Sequence, residues 1–167
     1  MQQNETAMQG TSKLHSVRRI SIHTDRAHIC ELEDSLVKKY LGIPYKMMGR
    51  DMNGLDCYGL IMSIYKDMGY DLFDISQNYN AGWSFEGKNF FYENYYKEWD
   101  IVENPEPLDI VLFHNGMGIA NHGGVFLSTN KIIQSCQAGV VIARLYNQNI
   151  KNRIEGFYRL RKRNDNY

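Results

Sequence analysis

The sequence predicts an α+β fold in which helices come first and a small antiparallel sheet follows. Two segments with helical periodicity lie in the first half of the chain, at 31–42 and 57–69. Five short apolar runs separated by turn residues follow between 109 and 160. A chain of 167 residues is long enough to bury one core. We therefore expect the helices to pack on the sheet within a single domain.

The two predicted helices flank a loop. The first, ELEDSLVKKYLG over 31–42, has apolar residues on one face, opens with acidic residues and ends at Gly42. The second, CYGLIMSIYKDMG over 57–69, repeats this periodicity. Between them, GRDMNGLD over 49–56 contains two glycines and an Asn-Gly pair, which is typical of a loop. Cys57 therefore lies where a loop becomes a helix.

The second half of the chain is predicted to form the sheet. Residues 70–100 are aromatic and polar, with periodicity that favours at most a short helix over 88–99. Pro105 and Pro107 bracket a linker. The apolar runs that follow predict an antiparallel meander, and they lie at 109–114, 122–127, 131–136, 140–145 and 154–160.

The domain is predicted to span residues 25–160, between a polar arm over 1–24 and a solvated tail over 161–167. No apolar stretch reaches the roughly 18 residues of a membrane span. The N-terminus has no apolar segment typical of a secretory signal. We therefore expect a protein made in the cytoplasm, which another route delivers if it acts outside the cell.

Charge and cysteine content disfavour several classes of function. Lys plus Arg and Asp plus Glu each number 19, so bulk charge does not favour nucleic-acid binding. Three cysteines do not make a disulfide framework, and their odd number leaves a thiol free. The chain also lacks a Cys-x-x-Cys or His-Glu-x-x-His motif, so we expect no metal site.

Cys57 is the strongest candidate for a reactive residue. At a helix N-terminus, the dipole and the free N–H groups favour a thiolate, which is the nucleophilic form. The same N–H groups can face an oxyanion that develops during attack. A buried structural cysteine is the alternative interpretation. Cys30 and Cys136 lack this context and are expected to be structural.

His122 is the candidate base, because it opens a strand directly after a glycine-rich loop. Gln134 lies twelve residues later, where a hairpin can bring it beside His122 to orient the imidazole. The alternatives are a hydrogen-bonded loop histidine and an outward-facing strand glutamine. His114 follows an apolar strand beside a turn and is ranked second as a base.

Two stretches of the chain resemble the NlpC/P60 family of papain-like cell-wall cysteine peptidases. Residues 40–70 are similar to its Leu-Gly-x-Pro-Tyr motif, glycine-rich loop and Asp-Cys-Ser-Gly-Leu helix start. Residues 107–136 are similar to its second half, where a polar residue follows the histidine by twelve positions. The resemblance covers about residues 32–160 and implies a papain-like NlpC-type fold.

The resemblance implies roles for five residues. Cys57 matches the nucleophile, His122 the general base and Gln134 the orienting residue. Tyr45 matches a tyrosine that lines the cleft, with plain packing as the alternative, and Asp56 matches an aspartate that binds substrate or shapes the oxyanion region. The implied activity is hydrolysis of the bond between D-glutamate and the diamino acid in peptidoglycan stem peptides, without a metal or organic cofactor.

Several positions depart from the family pattern. Tyr58 replaces the usual serine, Met48 and Leu108 replace glycines, and Gly123 replaces a valine. Tyr58 and Arg50 are similar to residues of phage-borne, tail-associated members, which usually lack a signal peptide. The resemblance therefore implies phage tail proteins as further partners and a virion component acting at the cell wall.

Two other functions stay open at this point. The first is a tail or tail-tip structural component that keeps the peptidase fold with weak or lost activity, using the aromatic segment 79–99 as an interface. Those aromatic residues could equally line the cleft or, most commonly, pack in the core. The second is an amide or thioester transferase on the same fold. A contact between Cys57 and His122 facing an open groove would favour an enzyme.

Overall fold

The structure is a computed structural model that describes residues 26–74, 86, 89, 91, 93 and 98–161. Helices precede an antiparallel sheet, so the predicted α+β class is confirmed. The arm over 1–24 and most of the aromatic segment 79–99 lie outside the described residues. The α-helices whose bounds lie within the described residues are α1 (Arg26–Tyr40), α2 (Cys57–Asp67) and the short α3 (Gln148–Lys151). In the part of the chain that is described, none is long and apolar enough to cross a membrane.

The described residues contain eight strands, which form two sheets. Two very short strands pair within the loop before α2, and six strands form the main sheet in the order β3-β8-β4-β5-β6-β7, with every neighbouring pair antiparallel. The strands are β1 (Arg50–Asp51), β2 (Gly54–Leu55), β3 (Trp99–Val102), β4 (Ile110–His114), β5 (Ala120–Leu127), β6 (Lys131–Cys136), β7 (Gly139–Arg144) and β8 (Ile154–Leu160).

The sheet differs from the predicted meander at one edge. Strands β4 to β7 follow one another as expected, but β8 returns to pair with β4 and separates it from β3. The prediction of a simple meander is therefore wrong, because the apolar runs locate strands without specifying their partners. The segment expected to favour a short helix over 88–99 lies mostly outside the described residues, and its last residue, Trp99, begins β3.

Helix α1 begins earlier in the chain than the predicted helical segment 31–42. It starts at Arg26, and its first turn contains no acidic residue, so the expected acidic opening is wrong. Glu33 is instead buried in the middle of the helix. Its carboxylate accepts hydrogen bonds from the Ser128 backbone N–H at 2.5 Å and the Ser128 hydroxyl at 3.1 Å. This contact anchors α1 to the turn between β5 and β6.

Helix α2 packs one face against the main sheet. Its side chains Leu60, Ile61 and Ile64 are fully buried and share a cluster with strand residues such as Ile110 and Val125. Burial of one such side chain contributes about 1.5–3 kcal/mol. This packing fixes the first residue of α2 over the sheet.

A second, smaller cluster consists of the buried residues Val111, Phe113, Phe126, Ile132 and Leu145.

Candidate active site

Cys57 is the first residue of α2, and Asp56 is the N-cap that holds it in place. The Asp56 carboxylate accepts the backbone N–H of Gly59 at 2.6 Å and that of Met48 at 2.9 Å. The Arg50 guanidinium donates to the same carboxylate at 2.8 Å. Asp56 is almost fully buried, so these bonds tie the preceding loop to the first helical turn.

Strand β5 passes close to the N-terminus of α2 at Gly123. A Cβ atom at this position would lie 3.1 Å from the Ile61 Cδ1 atom and 3.2 Å from the Leu112 Cδ2 atom. The Gly123 backbone forms a hydrogen bond to the Cys57 sulfur. A larger residue, such as the valine of the family pattern, would therefore press on the ends of the Ile61 and Leu112 side chains.

His122 and Gln134 face each other across neighbouring strands. Gly124 on β5 pairs with Gln134 on β6, and the His122 Nε2 atom lies 2.8 Å from the Gln134 Oε1 atom. An amide oxygen accepts only, so with this partner Nε2 carries the proton and Nδ1 is the basic nitrogen. The Phe113 ring supports the imidazole, with their centroids 5.6 Å apart.

One open groove of about 370 Å³ collects four of the five predicted residues: Tyr45, Cys57, His122 and Gln134. Asp56, the fifth, lies buried behind Cys57. The side chains of Cys57 and His122 both line the groove. No hydrogen bond joins these two residues among those of the described part of the chain. The other described lining residues are Phe113, Asn121, Ser135, Cys136, Gln137, Asn149, Ile150 and Arg153.

The two candidate catalytic groups are uncharged at neutral pH. Burial, and then the charge of Asp56, raises the pKa of the Cys57 thiol to about 12, against smaller opposing effects that include the Arg50 charge. Burial lowers the pKa of His122, although its hydrogen bond to Gln134 opposes the change. Burial of the sulfur thus acts against the helix N-terminus, which favours the thiolate.

Tyr45 lines the groove within electrostatic reach of Cys57. Burial raises the pKa of the Tyr45 hydroxyl, and the charges of Cys57 and Asp56 add to this effect. Its backbone forms an isolated bridge to Leu55 on β2. The strand pair before α2 thus positions a tyrosine beside the predicted nucleophile.

His114, the second-ranked base, is not among the described residues that line the groove. Its Nδ1 atom accepts the backbone N–H of Gly116 at 3.0 Å, so it stabilises a turn. Cys30 is exposed on α1. Cys136, which the sequence predicted to be structural, is partly exposed in the groove.

Asn121 and Arg153 are groove residues that the sequence did not indicate. Asn121 is the extra residue where the β4–β5 register shifts between Phe113 and His114. Arg153 enters from the connection between α3 and β8. A β-bulge and the return of β8 have no local sequence signal, although bulges often re-aim side chains beside active sites.

The NlpC/P60 family model matches residues 42–159, well over half of the chain. The chain belongs to the NlpC/P60 family. Its structure is also similar to solved structures of this family. One is a lipoprotein-like NLP/P60 protein from Staphylococcus aureus, with a TM-score of 0.60 and 20% identity over 82% of this chain and 42% of that chain.

Two further solved structures show the same likeness of fold. An NlpC/P60 family protein from Bacillus cereus has a TM-score of 0.57 and 22% identity, covering 79% of this chain and 40% of that chain. NlpC1 from Trichomonas vaginalis has a TM-score of 0.54 and 18% identity, covering 75% and 42%. The chain thus spans about two fifths of the length of each of these proteins.

Tyr58, which departs from the NlpC/P60 pattern, is buried in the first turn of α2 and is not a described groove residue. The Arg50 guanidinium lies 5.6 Å from the centroid of its ring, and the Phe91 ring meets it edge-on at 6.1 Å. Arg50 also forms ion pairs with Asp56 and Asp74. The side chains of Tyr58 and Arg50 therefore pack together and support Asp56, the N-cap of α2.

Proposed function

We propose that the chain is a cysteine peptidase that hydrolyses the bond between D-glutamate and the diamino acid in peptidoglycan stem peptides. The observation that supports this most is the groove in which Cys57, at the start of α2, meets the hydrogen-bonded pair His122 and Gln134. Membership of the NlpC/P60 family supports the same activity.

The mechanism begins with a neutral thiol and a neutral imidazole. The His122 Nδ1 atom takes the Cys57 proton as the sulfur attacks the scissile carbonyl carbon. Backbone N–H groups at the start of α2 stabilise the oxyanion of the tetrahedral intermediate. Its collapse releases the amine, which receives the proton from His122, and leaves a thioester. Water deprotonated by His122 then hydrolyses the thioester and restores the thiol.

The remaining predicted residues act around this pair. Gln134 holds the imidazole so that Nδ1 is the basic nitrogen, without adding a negative charge. Tyr45 contacts the bound peptide from the wall of the groove. Asp56 shapes the oxyanion region through its bonds to the first turn of α2.

We extend the proposal to the setting in which the enzyme acts. Tyr58 and Arg50, which resemble residues of phage-borne members, support a role at the cell wall as part of a phage tail. Phage tail proteins are then its macromolecular partners. The packing of Arg50 on Tyr58 beneath the N-cap is the structural observation that accompanies this resemblance.

Digestion of purified peptidoglycan fragments, analysed by mass spectrometry, tests the activity. The wild-type chain should produce fragments split between D-glutamate and the diamino acid, and Cys57→Ala and His122→Ala should produce none. Cys30→Ala, which removes an exposed thiol on α1, is the matched control and should stay active. Failure to cleave several wall chemistries with a folded, reduced protein would contradict the proposal and favour a structural tail component.

A further inference from the structure

The charge of the groove points to the kind of peptide it binds. Of the described residues that line it, Arg153 alone carries a permanent charge, and none is Asp or Glu. The other lining groups are neutral amides, thiols, a hydroxyl, a phenol, an imidazole and apolar side chains. A cation in a groove without acidic residues favours an anionic group on the bound molecule.

Arg153 is held in place by backbone contacts to β4. Its Nε atom donates to the His114 carbonyl oxygen at 3.2 Å. Its own carbonyl oxygen accepts the His114 backbone N–H at 2.8 Å. Arg153 is exposed just before β8, and these two contacts hold its backbone and its Nε atom beside β4.

The Arg153 guanidinium has no carboxylate partner among the residues that the structure describes. Other arginines do: Arg159 pairs with Asp109 and Glu106, and Arg161 pairs with Asp100. The Arg153 charge also acts on the base, because it contributes to the lowered pKa of His122. Arg153 thus places an uncompensated positive charge within electrostatic reach of the site of attack.

We propose that Arg153 binds a carboxylate of the stem peptide next to the scissile bond, which makes the chain selective for the carboxylate over the carboxamide form. A guanidinium presents N–H donors in a fork that matches a carboxylate, whereas a carboxamide offers one acceptor oxygen and no charge. The carboxylate belongs either to D-glutamate or to a dicarboxylic diamino acid, since each keeps a carboxyl group outside the cleaved bond. This inference rests on the proposed function.

Three synthetic stem peptides test the proposal: a parent peptide, one with the free D-glutamyl carboxylate converted to a carboxamide, and one with the free carboxylate of the diamino acid so converted. Their dissociation constants are measured by calorimetry on Cys57→Ala, which does not turn them over. One of the two carboxamides should bind about 10- to 100-fold more weakly, as for loss of a charged hydrogen bond. The carboxamide peptide that binds more weakly identifies the residue whose carboxylate Arg153 binds.

The preference should disappear when Arg153→Gln is added to Cys57→Ala. The matched control is Arg144→Gln, an exposed arginine at the end of β7 that does not line the groove, and it should keep the preference. Thermal unfolding of both variants checks that they are folded, and Arg153→Lys should keep part of the preference. Equal binding of all three peptides, no binding of any, or a preference that survives in Arg153→Gln would overturn the proposal.

Hydrolysis by the wild-type chain separates this proposal from the proposed function. If no peptide is cleaved, the peptidase activity is contradicted, while the binding measurements on Cys57→Ala still decide the role of Arg153. If all three peptides are cleaved with equal kcat/KM and bind equally, the activity stands and the role of Arg153 fails.

Discussion

At the residue scale, the site pairs a neutral thiol with a neutral imidazole. Burial is the main cause for both, since it raises the pKa of Cys57 to about 12 and lowers that of His122. A resting thiolate–imidazolium ion pair would require the opposite shifts. The proton should therefore move during attack on the substrate, and the acid limb of kcat/KM should reflect the lowered pKa of His122.

Gln134→Glu tests this balance of charges. A carboxylate in place of the amide oxygen that lies 2.8 Å from the His122 Nε2 atom would raise the pKa of His122. We expect the acid limb of the kcat/KM–pH profile to move up by about one unit or more. At a pH between the old and new limbs, activity falls because His122 is protonated.

Gln137→Glu is the matched control, because Gln137 is exposed, lines the same groove and has no described hydrogen bond to His122. Its acid limb should move much less. If the acid limb moves equally in the two variants, then any negative charge in the groove has the same effect as one at Gln134. That result would contradict a specific hydrogen bond between Gln134 and His122.

Sequence reasoning located the residues of the site that belong to continuous motifs. Cys57 follows from its place at a helix start, and His122 with Gln134 follows from an offset that one hairpin brings together. Their catalytic roles stay predictions. Asn121 and Arg153 could not be found in this way, because a bulge and a long return of the chain bring them to the groove.

At the scale of single elements, two turns hold bulky residues in a glycine-like conformation. Met48 has φ 55° and Leu108 has φ 76°, and both replace glycines of the family pattern. This conformation costs an L-residue about 1–2 kcal/mol. Leu108 is compensated by its contacts, since its N–H donates to Phe126 at 2.7 Å and its carbonyl oxygen accepts the Tyr65 hydroxyl at 2.5 Å. Met48 is exposed and has less packing to lose.

Met48→Gly should therefore stabilise the protein slightly, by up to about 1 kcal/mol, because relief of strain exceeds the entropy that glycine adds to the unfolded chain. Met52→Gly is the matched control, an exposed methionine in the same loop without a positive φ. It should destabilise by about 0.5–1 kcal/mol. Urea unfolding of the two variants measures the difference, and a Met48→Gly variant as unstable as Met52→Gly would contradict strain at Met48.

The elements themselves were predicted to different extents. Helix α2 and strands β4 to β8 match the apolar runs within a few residues, because each run contributes buried side chains to a core. The four residues of β3 were missed, since an edge strand this short leaves little periodicity. The early start of α1 was missed because its first turn is exposed, and exposed helical residues carry no apolar pattern.

At the scale of the whole molecule, the groove exists only when distant segments have packed together. Tyr45 and Cys57 come from the first half of the chain, Asn121 to Gln137 from β5, β6 and the turn that follows, and Arg153 from the connection to β8. Folding of the whole domain therefore removes part of the hydration of the groups that form the site. Their altered pKa values must appear in the stability of the protein as a function of pH.

We expect the free energy of unfolding to be greatest between about pH 6.5 and pH 9 and to fall on both sides. Below the ordinary pKa of 6.5, the unfolded chain protonates His122 while the folded chain, whose pKa is lowered, resists protonation. Above the ordinary pKa of 9.0, the unfolded chain ionises Cys57 while the folded chain keeps the proton up to about pH 12. Buried Tyr40 and Tyr65, whose pKa values are raised, add to the alkaline loss only above their ordinary value of 10.0.

Urea unfolding at closely spaced pH values, with the thiols kept reduced, measures both limbs. Cys57→Ala should remove the loss of stability between pH 9 and 10, where the tyrosines do not yet contribute, and keep the loss above it. His122→Gln should flatten the decline just below pH 6.5. A Cys57→Ala curve that stays parallel to the wild-type curve from pH 9 to 10 would show that the thiol is not desolvated. The nucleophile would then rest as the more acidic thiol that an isolated helix N-terminus favours.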